Sequence, residues 1–188
     1  MKKQLPNILT YSRILAVPVL AVIFLDPVRH WLGEELADRF SALLFLYAAI
    51  TDFFDGYLAR AWHAHSSLGK FLDPIADKLL VATCLMLLVG DHRADMFPAI
   101  AILCREILVS GLREFLADLR ISVPVTKLAQ YKTAAQMAAI CLLLFGASAP
   151  WGMPAMWLGS ILLWAAALLT LVTGYAYLKT GIRHLSEG

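Results

Sequence analysis

The sequence predicts an all-α, polytopic membrane protein with six transmembrane helices in one bundle. Sixty per cent of its 188 residues are hydrophobic and the mean hydropathy is +0.71, well above the value typical of a soluble domain. Short polar or charged segments divide the apolar sequence into six runs. Because a helix needs about 20 residues to cross a bilayer, the length fits six spans with short loops. We therefore expect one domain over residues 1–188.

The charges and cysteines argue against several other classes of protein. The formal net charge is only +2 and no basic run is present, so the sequence indicates no nucleic-acid partner. Cys84, Cys104 and Cys141 each lie inside an apolar run without C-x-x-C spacing. We expect all three to be small buried apolar residues and not disulfide partners or metal ligands.

The first span is predicted over Leu5–Leu25. The segment begins with basic residues and continues with apolar ones, as a signal peptide does. However, Arg13 interrupts the apolar run and no cleavage site follows it. We therefore expect a span that is retained in the mature protein. Asn7, Thr10 and Arg13 form an i, i+3, i+6 stripe on one helix face. The stripe either faces protein or a polar cavity, or it is the interfacial end of the helix with its charge reaching the membrane surface.

The other five spans follow from the alternation of apolar runs and polar turns. A polar connection is expected at Asp26–Arg39, a turn at Trp62–Gly69, a loop from Ala117 to Thr126, and a short polar tail after the last span. The predicted spans are Phe40–Ala61, Phe71–Val89, Met96–Leu116, Lys127–Phe145 and Met153–Leu178.

Four aspartates lie at one end of the second and third spans. Asp52 and Asp55 are three residues apart and Asp73 and Asp77 are four apart, so each pair shares a helix face. In an antiparallel helical hairpin both pairs come to the same end, where four carboxylates would converge. Such a cluster requires bound cations at neutral pH.

Charge placement predicts which end of the bundle faces the cytoplasm. With both termini inside, only Arg29, Arg39 and Arg93 of the 16 Lys and Arg residues fall on the far side, which satisfies the positive-inside rule. The aspartates then lie at the cytoplasmic end. We expect a multi-pass protein of the bacterial inner membrane.

Residues near the aspartates suit a bound diphosphate. Mg²⁺ and Mn²⁺ prefer carboxylate oxygens and commonly act together with substrate phosphates. Gly56 lies one turn after Asp52 and would let a bulky ligand approach the helix backbone. Arg60 lies one turn further on, and its planar fork suits a phosphate. The sequence therefore predicts a metal–diphosphate site.

A second group of cations lies in the fourth and fifth spans. An arginine in the middle of a span is costly and usually lines a site or cavity. The group either binds a second anionic ligand or forms intramembrane ion pairs with Glu106 and Glu114, with the lysines as positive-inside anchors. The four cations are Arg105, Arg113, Lys127 and Lys132.

The aspartate segment resembles the signature of the CDP-alcohol phosphotransferase family. The pattern is Asp52-x-x-Asp55-Gly56-x-x-Ala59-Arg60, eight further residues, then Gly69-x-x-x-Asp73-x-x-x-Asp77. The resemblance implies that the four aspartates hold Mg²⁺ or Mn²⁺, two ions in all, and that Asp77 is also the general base. It implies a CDP pocket shaped by Gly56, Ala59, Arg60 and Gly69, and a homodimer in a lipid membrane.

Subfamily features indicate the acceptor. Leu5-Pro6-Asn7-Ile8-Leu9-Thr10-x-x-Arg13 and the Arg–Glu pairs of the fourth span are similar to the branch of the family that makes phosphatidylglycerophosphate. This resemblance implies transfer of a phosphatidyl group from CDP-diacylglycerol to sn-glycerol 3-phosphate, with release of CMP. Arg105, Arg113, Lys127 and Lys132 are then candidates for binding the acceptor phosphate.

Several alternatives stay open at this point. The same chemistry could use inositol phosphate, phosphatidylglycerol or serine as acceptor, although the basic group favours a phosphorylated one. A membrane prenyltransferase would need more spans and more widely separated aspartate motifs. A divalent-cation transporter would need polar residues through the other half of the bilayer, and the last two spans offer none.

Overall fold

The structure, a computed structural model, describes residues 5–62, 67–118, 127–146, 149 and 153–186. All regular secondary structure in those ranges is helical, which confirms the all-α prediction. Six helices have 19 residues or more and one has seven. The helices are α1 (Leu5–Ile23), α2 (Asp26–Leu32), α3 (Glu34–Trp62), α4 (Ser67–Gly90), α5 (Met96–Asp118), α6 (Lys127–Phe145) and α7 (Met153–Ser186).

The expectation of a polar connection at Asp26–Arg39 is wrong. Helix α2 starts there with a proline in its first turn, where the missing N–H needs no partner, and its axis is bent by 85° from that of α1. It ends at Gly33, whose φ of +82° suits glycine. Helix α3 then begins with Glu34 and Glu35, two acids that stabilise a helix N-terminus.

The last helix also differs from its predicted end. Helix α7 continues to Ser186, eight residues beyond Leu178, where the apolar run stops. Hydropathy indicates where a chain leaves an apolar environment, but helical hydrogen bonding continues through polar residues. The turn predicted at Trp62–Gly69 is shorter on both sides, and its central residues 63–66, together with residues 119–126 of the predicted loop, lie outside the described residues.

One hydrophobic core joins all six long helices. Helix α1 packs extensively against both α3 and α4, α6 packs on α3 and α7, and α5 packs on α7. Because every long helix contributes fully buried side chains, the described part of the chain forms a single packed unit. Representative core residues, one from each long helix, are Leu20, Phe45, Leu85, Ile102, Leu143 and Leu163.

Large apolar side chains also cover the outside of the helices. Phe97 and Ile107 on α5 are each 71% exposed, and Met86 and Trp157 are each 69% exposed. Exposed large apolar side chains occur on every long helix among the described residues. Extensive exposure of apolar side chains indicates contact with protein or lipid. All three cysteines are free. Cys84 is fully buried and Cys141 is half-buried, but Cys104 is exposed on this outer surface. The prediction that all three are buried is therefore wrong for Cys104.

Length and composition identify one described helix that could cross a membrane, α7 over Pro154–Lys179, and only a third of its most apolar window is buried in protein. A second would be the bent pair of α1 and α2, if the two together count as one span. Helices α3, α4 and α5 carry ionisable residues within their apolar sequence, and the apolar part of α6, Tyr131–Phe145, is short.

Candidate active site

A buried arginine lies among three of the four predicted site aspartates. The Arg13 side chain on α1 is 1% exposed. Its Nη1 donates to Oδ1 of Asp52 on α3 at 2.5 Å and to Oδ1 of Asp77 on α4, and its Nη2 lies 3.4 Å from Oδ1 of Asp73. The three carboxylate side chains are 34–45% exposed. The guanidinium therefore contacts them from the protein side, and their other side is open.

Thr10 reinforces this arrangement from one turn earlier on α1. Its buried hydroxyl donates to Oδ1 of Asp73 at 2.5 Å. Of the two interpretations of the Asn7–Thr10–Arg13 stripe, the structure therefore supports the first for Thr10 and Arg13, because both face protein. The side chain of Asn7 lies outside the described residues.

Helices α3 and α4 were expected to pack against each other as a hairpin, but each packs mainly on α1. Helix α1 packs extensively on both helices, whereas in the described residues α3 and α4 make little direct contact with each other. The aspartates thus come together around a third helix. The sequence alone did not assign α1 to the aspartate site, although the spacing of Thr10 and Arg13 marked a polar face on this apolar helix.

The carboxylates suit a hard divalent cation by their chemistry. Asp52, Asp73 and Asp77 present carboxylate oxygens around the Arg13 guanidinium, and such oxygens are the ligands preferred by Mg²⁺ and Mn²⁺. The guanidinium lies between them, and no three acidic, histidine or cysteine side chains in the described part are gathered as a ready metal cage. The Asp55 side chain lies outside the described residues.

The predicted CDP-binding residues lie on either side of the α3–α4 connection. Gly56, Ala59 and Arg60 are in the last two turns of α3, and Gly69 is in the first turn of α4. Their side chains are outside the described set.

A hydrogen bond places α5 beside the acidic site. Lys78, the residue after Asp77, donates from Nζ to Oγ of Ser110. Ser110 lies between the two arginine–glutamate pairs of α5. The basic part of α5 therefore adjoins the turn of α4 that carries Asp77.

The structure brings two of the four predicted acceptor-binding cations together. Glu106 on α5 accepts from Arg105 at 3.3 Å and from Lys132 on α6, which is 3% exposed. This is the ion-pair alternative for Arg105 and Lys132. Arg113 is exposed, with its guanidinium 5.7 Å from the ring centre of Tyr177 on α7. The Lys127 side chain lies outside the described residues as well.

A cavity of about 280 Å³ opens between α5 and α7 next to Arg105. Gly174 lies in its wall, and a Cβ there would be 2.9 Å from Cγ of Arg105, so the arginine stem occupies the space that the glycine leaves. The remaining lining is almost entirely apolar, with Cys104, Leu108, Leu171, Tyr175 and Leu178 among its residues.

Four further charges form a network between α2, α3 and the α4–α5 turn. Asp38, 6% exposed, accepts from Arg29 at 3.0 Å and from Arg93 at 2.8 Å, and Asp91 accepts from the same two arginines at 2.8 and 2.6 Å. Burial raises the pKa of Asp38, and the two guanidiniums act in the opposite direction. The remaining far-side cation of the predicted topology, Arg39, pairs with Glu35. All three cations that depart from the positive-inside pattern therefore have acidic partners.

Comparison with known proteins identifies the family of this chain. The sequence profile of the CDP-alcohol phosphatidyltransferase family matches residues 3–172. A protein from Rickettsia typhi is 47% identical over 94% of this chain and 96% of its own length. Proteins from Salmonella choleraesuis, 41% identical over 95% of each chain, and from Cereibacter sphaeroides, 40% identical over 100% of this chain and 99% of its own, are similar too. All three bear the name CDP-diacylglycerol–glycerol-3-phosphate 3-phosphatidyltransferase.

Proposed function

The chain belongs to the CDP-alcohol phosphatidyltransferase family, and from that premise we propose that it transfers a phosphatidyl group from CDP-diacylglycerol to sn-glycerol 3-phosphate. The products are phosphatidylglycerophosphate and CMP, which makes this a step of phospholipid biosynthesis. The observation that carries the proposal is the gathering of Asp52 of α3 with Asp73 and Asp77 of α4 around an arginine of α1. The near-full-length relatives of the chain bear this activity in their names.

The reaction is a substitution at phosphorus. A hydroxyl oxygen of glycerol 3-phosphate attacks the phosphorus that carries the diacylglycerol, and the bond from that phosphorus to the CMP oxygen breaks. We assign Asp77 as the general base that accepts the hydroxyl proton. Its carboxylate is partly open, and the Arg13 contact holds it in place.

We assign two divalent cations, Mg²⁺ or Mn²⁺, to a site formed by Asp52, Asp55, Asp73 and Asp77. Bound there, they would neutralise the diphosphate and the negative charge that develops on the leaving CMP. The convergence of three of these carboxylates supports the assignment. Gly56, Ala59, Arg60 and Gly69 are proposed to shape the CDP pocket because they flank the aspartates in the helices.

The acceptor phosphate is proposed to bind at the basic part of α5 and α6. The Lys78–Ser110 hydrogen bond supports this, because it puts α5 beside the Asp77 turn. Arg113 is exposed and available to a ligand. Arg105 and Lys132 already share Glu106, so a phosphate dianion would either join or replace that carboxylate. Lys127 stays a candidate.

We also propose the membrane arrangement expected from the sequence. The six long helices cross the bacterial cytoplasmic membrane with both termini and the aspartates on the cytoplasmic side, and the protein is a homodimer. The exposed apolar side chains support the lipid setting. The paired state of Arg29, Arg39 and Arg93 supports the orientation, because their positive charges are offset.

An acceptor panel tests the proposed function. Purified protein in detergent is given CDP-diacylglycerol with Mg²⁺ and one of four acceptors: glycerol 3-phosphate, inositol phosphate, phosphatidylglycerol or serine. CMP release is expected with glycerol 3-phosphate alone and is expected to stop when EDTA replaces the metal. Release with another acceptor would change the substrate assignment, and no release with any acceptor would contradict transferase activity.

A further inference from the structure

We propose that Arg13 is a positioning residue, the built-in counter-ion that holds Asp52, Asp73 and Asp77 together before any divalent cation binds. The inference deepens the proposed function and rests on it, because these aspartates are the proposed cation ligands. Arg13 lies on α1, outside the aspartate pattern of α3 and α4.

Buried Arg13 and the three aspartates around it partly offset each other's charge. A guanidinium that is 1% exposed needs anionic partners, and three carboxylates at one point repel each other unless a cation lies between them. The contacts join α1 to both α3 and α4, helices that pack on α1 more than on each other. Arg13 therefore supplies the electrostatic link that holds this end of the three helices together.

The direction of the contacts leaves room for a ligand. Every ion-pair contact described for Arg13 uses Oδ1 of an aspartate, and the carboxylates are 34–45% exposed. The guanidinium fixes the carboxylates from the protein side without covering their open side. Thr10 adds a second donor to Asp73 from the same helix face. The carboxylates are thus held by α1 while their exposed side stays accessible to a cation.

The balance of charge favours this role over a simple ion pair. One guanidinium opposes three carboxylates, so the group keeps a net negative charge that attracts a divalent cation. The planar fork of arginine can contact several carboxylates at once, whereas a lysine ammonium is a point charge.

Thermal unfolding of the full-length protein in detergent with EDTA tests the inference without substrate. Arg13→Gln keeps a polar side chain but removes the charge, and we expect its Tm to fall by about 10 °C, since breaking a buried ion pair is strongly destabilising. Arg13→Lys keeps the charge and should give an intermediate Tm. Arg39→Gln removes an exposed arginine that pairs with Glu35, and this matched control should melt within about 2 °C of wild type.

A charge-compensating double variant separates this role from a merely structural one. Arg13→Gln combined with Asp52→Asn restores the wild-type balance of charge in the cluster, so its Tm in EDTA should recover most of the loss. If Arg13→Gln alone yields no folded protein, recovery of folded double variant supports the inference. A metal-free Tm of Arg13→Gln equal to that of wild type would overturn it. So would a double variant no more stable, or no better folded, than the single one.

A Mn²⁺ titration keeps this inference distinct from the proposed function. Mn²⁺ should raise the Tm of the wild type, and it should raise that of Arg13→Gln by more, because the added cation replaces the lost charge. No stabilisation of the wild type by Mn²⁺ would contradict the proposed cation site, and the metal-free comparison would still decide the role of Arg13. An equal shift in both proteins would count against Arg13 as the counter-ion.

Discussion

Asp77 is the residue to which we assign two roles, cation ligand and general base. Its carboxylate is held by Arg13, and the next residue, Lys78, bonds to Ser110 on α5. Asp77 therefore lies between the cluster proposed to hold the metal and the cations proposed to hold the acceptor. The attacking hydroxyl of the acceptor would lie between these two groups, which is where a general base must accept its proton.

Asp77→Asn should lower kcat for CMP release by about 10²–10⁴-fold, because an amide accepts no proton and binds a divalent cation poorly. Glu35→Gln is the matched control: it neutralises an exposed acid that pairs with Arg39, and its kcat should stay within about twofold of wild type. Steady-state kinetics with saturating substrates measures both. An Asp77→Asn enzyme with kcat near that of wild type would exclude Asp77 as the base.

Arg113→Ala should raise the KM for glycerol 3-phosphate about tenfold or more, because a charge-assisted contact to the phosphate is lost. The KM for CDP-diacylglycerol should change far less. The comparison is made by varying one substrate at saturation of the other, with Arg39→Ala as a control on an exposed arginine elsewhere. An equal rise in both KM values would contradict the assignment of Arg113 to the acceptor.

Among the helices, α1 contacts both helices that carry the site aspartates. A separate charge network links the ends of α2 and α3 to the turn between α4 and α5. Asp38 and Asp91 each bind both Arg29 and Arg93. Arg93 also donates to the Leu144 carbonyl at the end of α6 at 3.3 Å. The network thus connects α6 to the turn between α4 and α5.

Gly146→Ala should destabilise the protein by about 1–3 kcal/mol, because Gly146 has a φ of +54° and a new Cβ would lie 3.0 Å from Arg93 Cζ. The Cβ would also approach Oδ2 of Asp38 to 3.3 Å. Gly90→Ala is the control, since nothing lies within 4 Å of the position that a Cβ would take there and α4 already includes this residue. Thermal unfolding compares the two, and equal melting temperatures would show that this helix end tolerates a side chain.

The sequence predicted long helices well and short or polar ones poorly. Apolar runs located the beginnings of α5, α6 and α7, where the structure agrees to the residue. Helix α2 was missed because seven polar and apolar residues with a proline carry no helical periodicity, and the end of α7 was missed because polarity does not end a helix. Similarly, the stripe of Thr10 and Arg13 defined a face of α1, but sequence spacing alone does not reveal which helices that face contacts.

At the scale of the whole molecule, one core and one apolar outer surface explain the distribution of residues. The core takes side chains from all six long helices, while large apolar residues such as Phe97, Ile107 and Trp157 point outward. Among the described residues, buried charges gather around Arg13, around Glu106 and around Asp38. Composition predicted the apolar helices, and the aspartate spacing predicted that Asp52, Asp73 and Asp77 lie together. Which cations contact which acids depends on helix packing and was left open.

Reporter fusions should reveal the proposed orientation. A green fluorescent protein after Gly188 is expected to fluoresce, because that terminus is proposed to be cytoplasmic, and alkaline phosphatase there should be inactive. Alkaline phosphatase inserted after Arg93, in the turn between α4 and α5, should be active. The reverse pattern at the two positions would invert the topology and place the aspartates outside.

We propose that this chain joins a phosphatidyl group to glycerol 3-phosphate at the aspartate cluster. An assay with purified wild type and Asp52→Asn in parallel follows radiolabelled glycerol 3-phosphate into a chloroform-soluble product. We predict that wild type forms labelled phosphatidylglycerophosphate mole for mole with CMP, and that Asp52→Asn loses this activity by at least about 10²-fold. No labelled lipid from the wild type would exclude this transferase activity, and full activity of Asp52→Asn would exclude the aspartate cluster as its site.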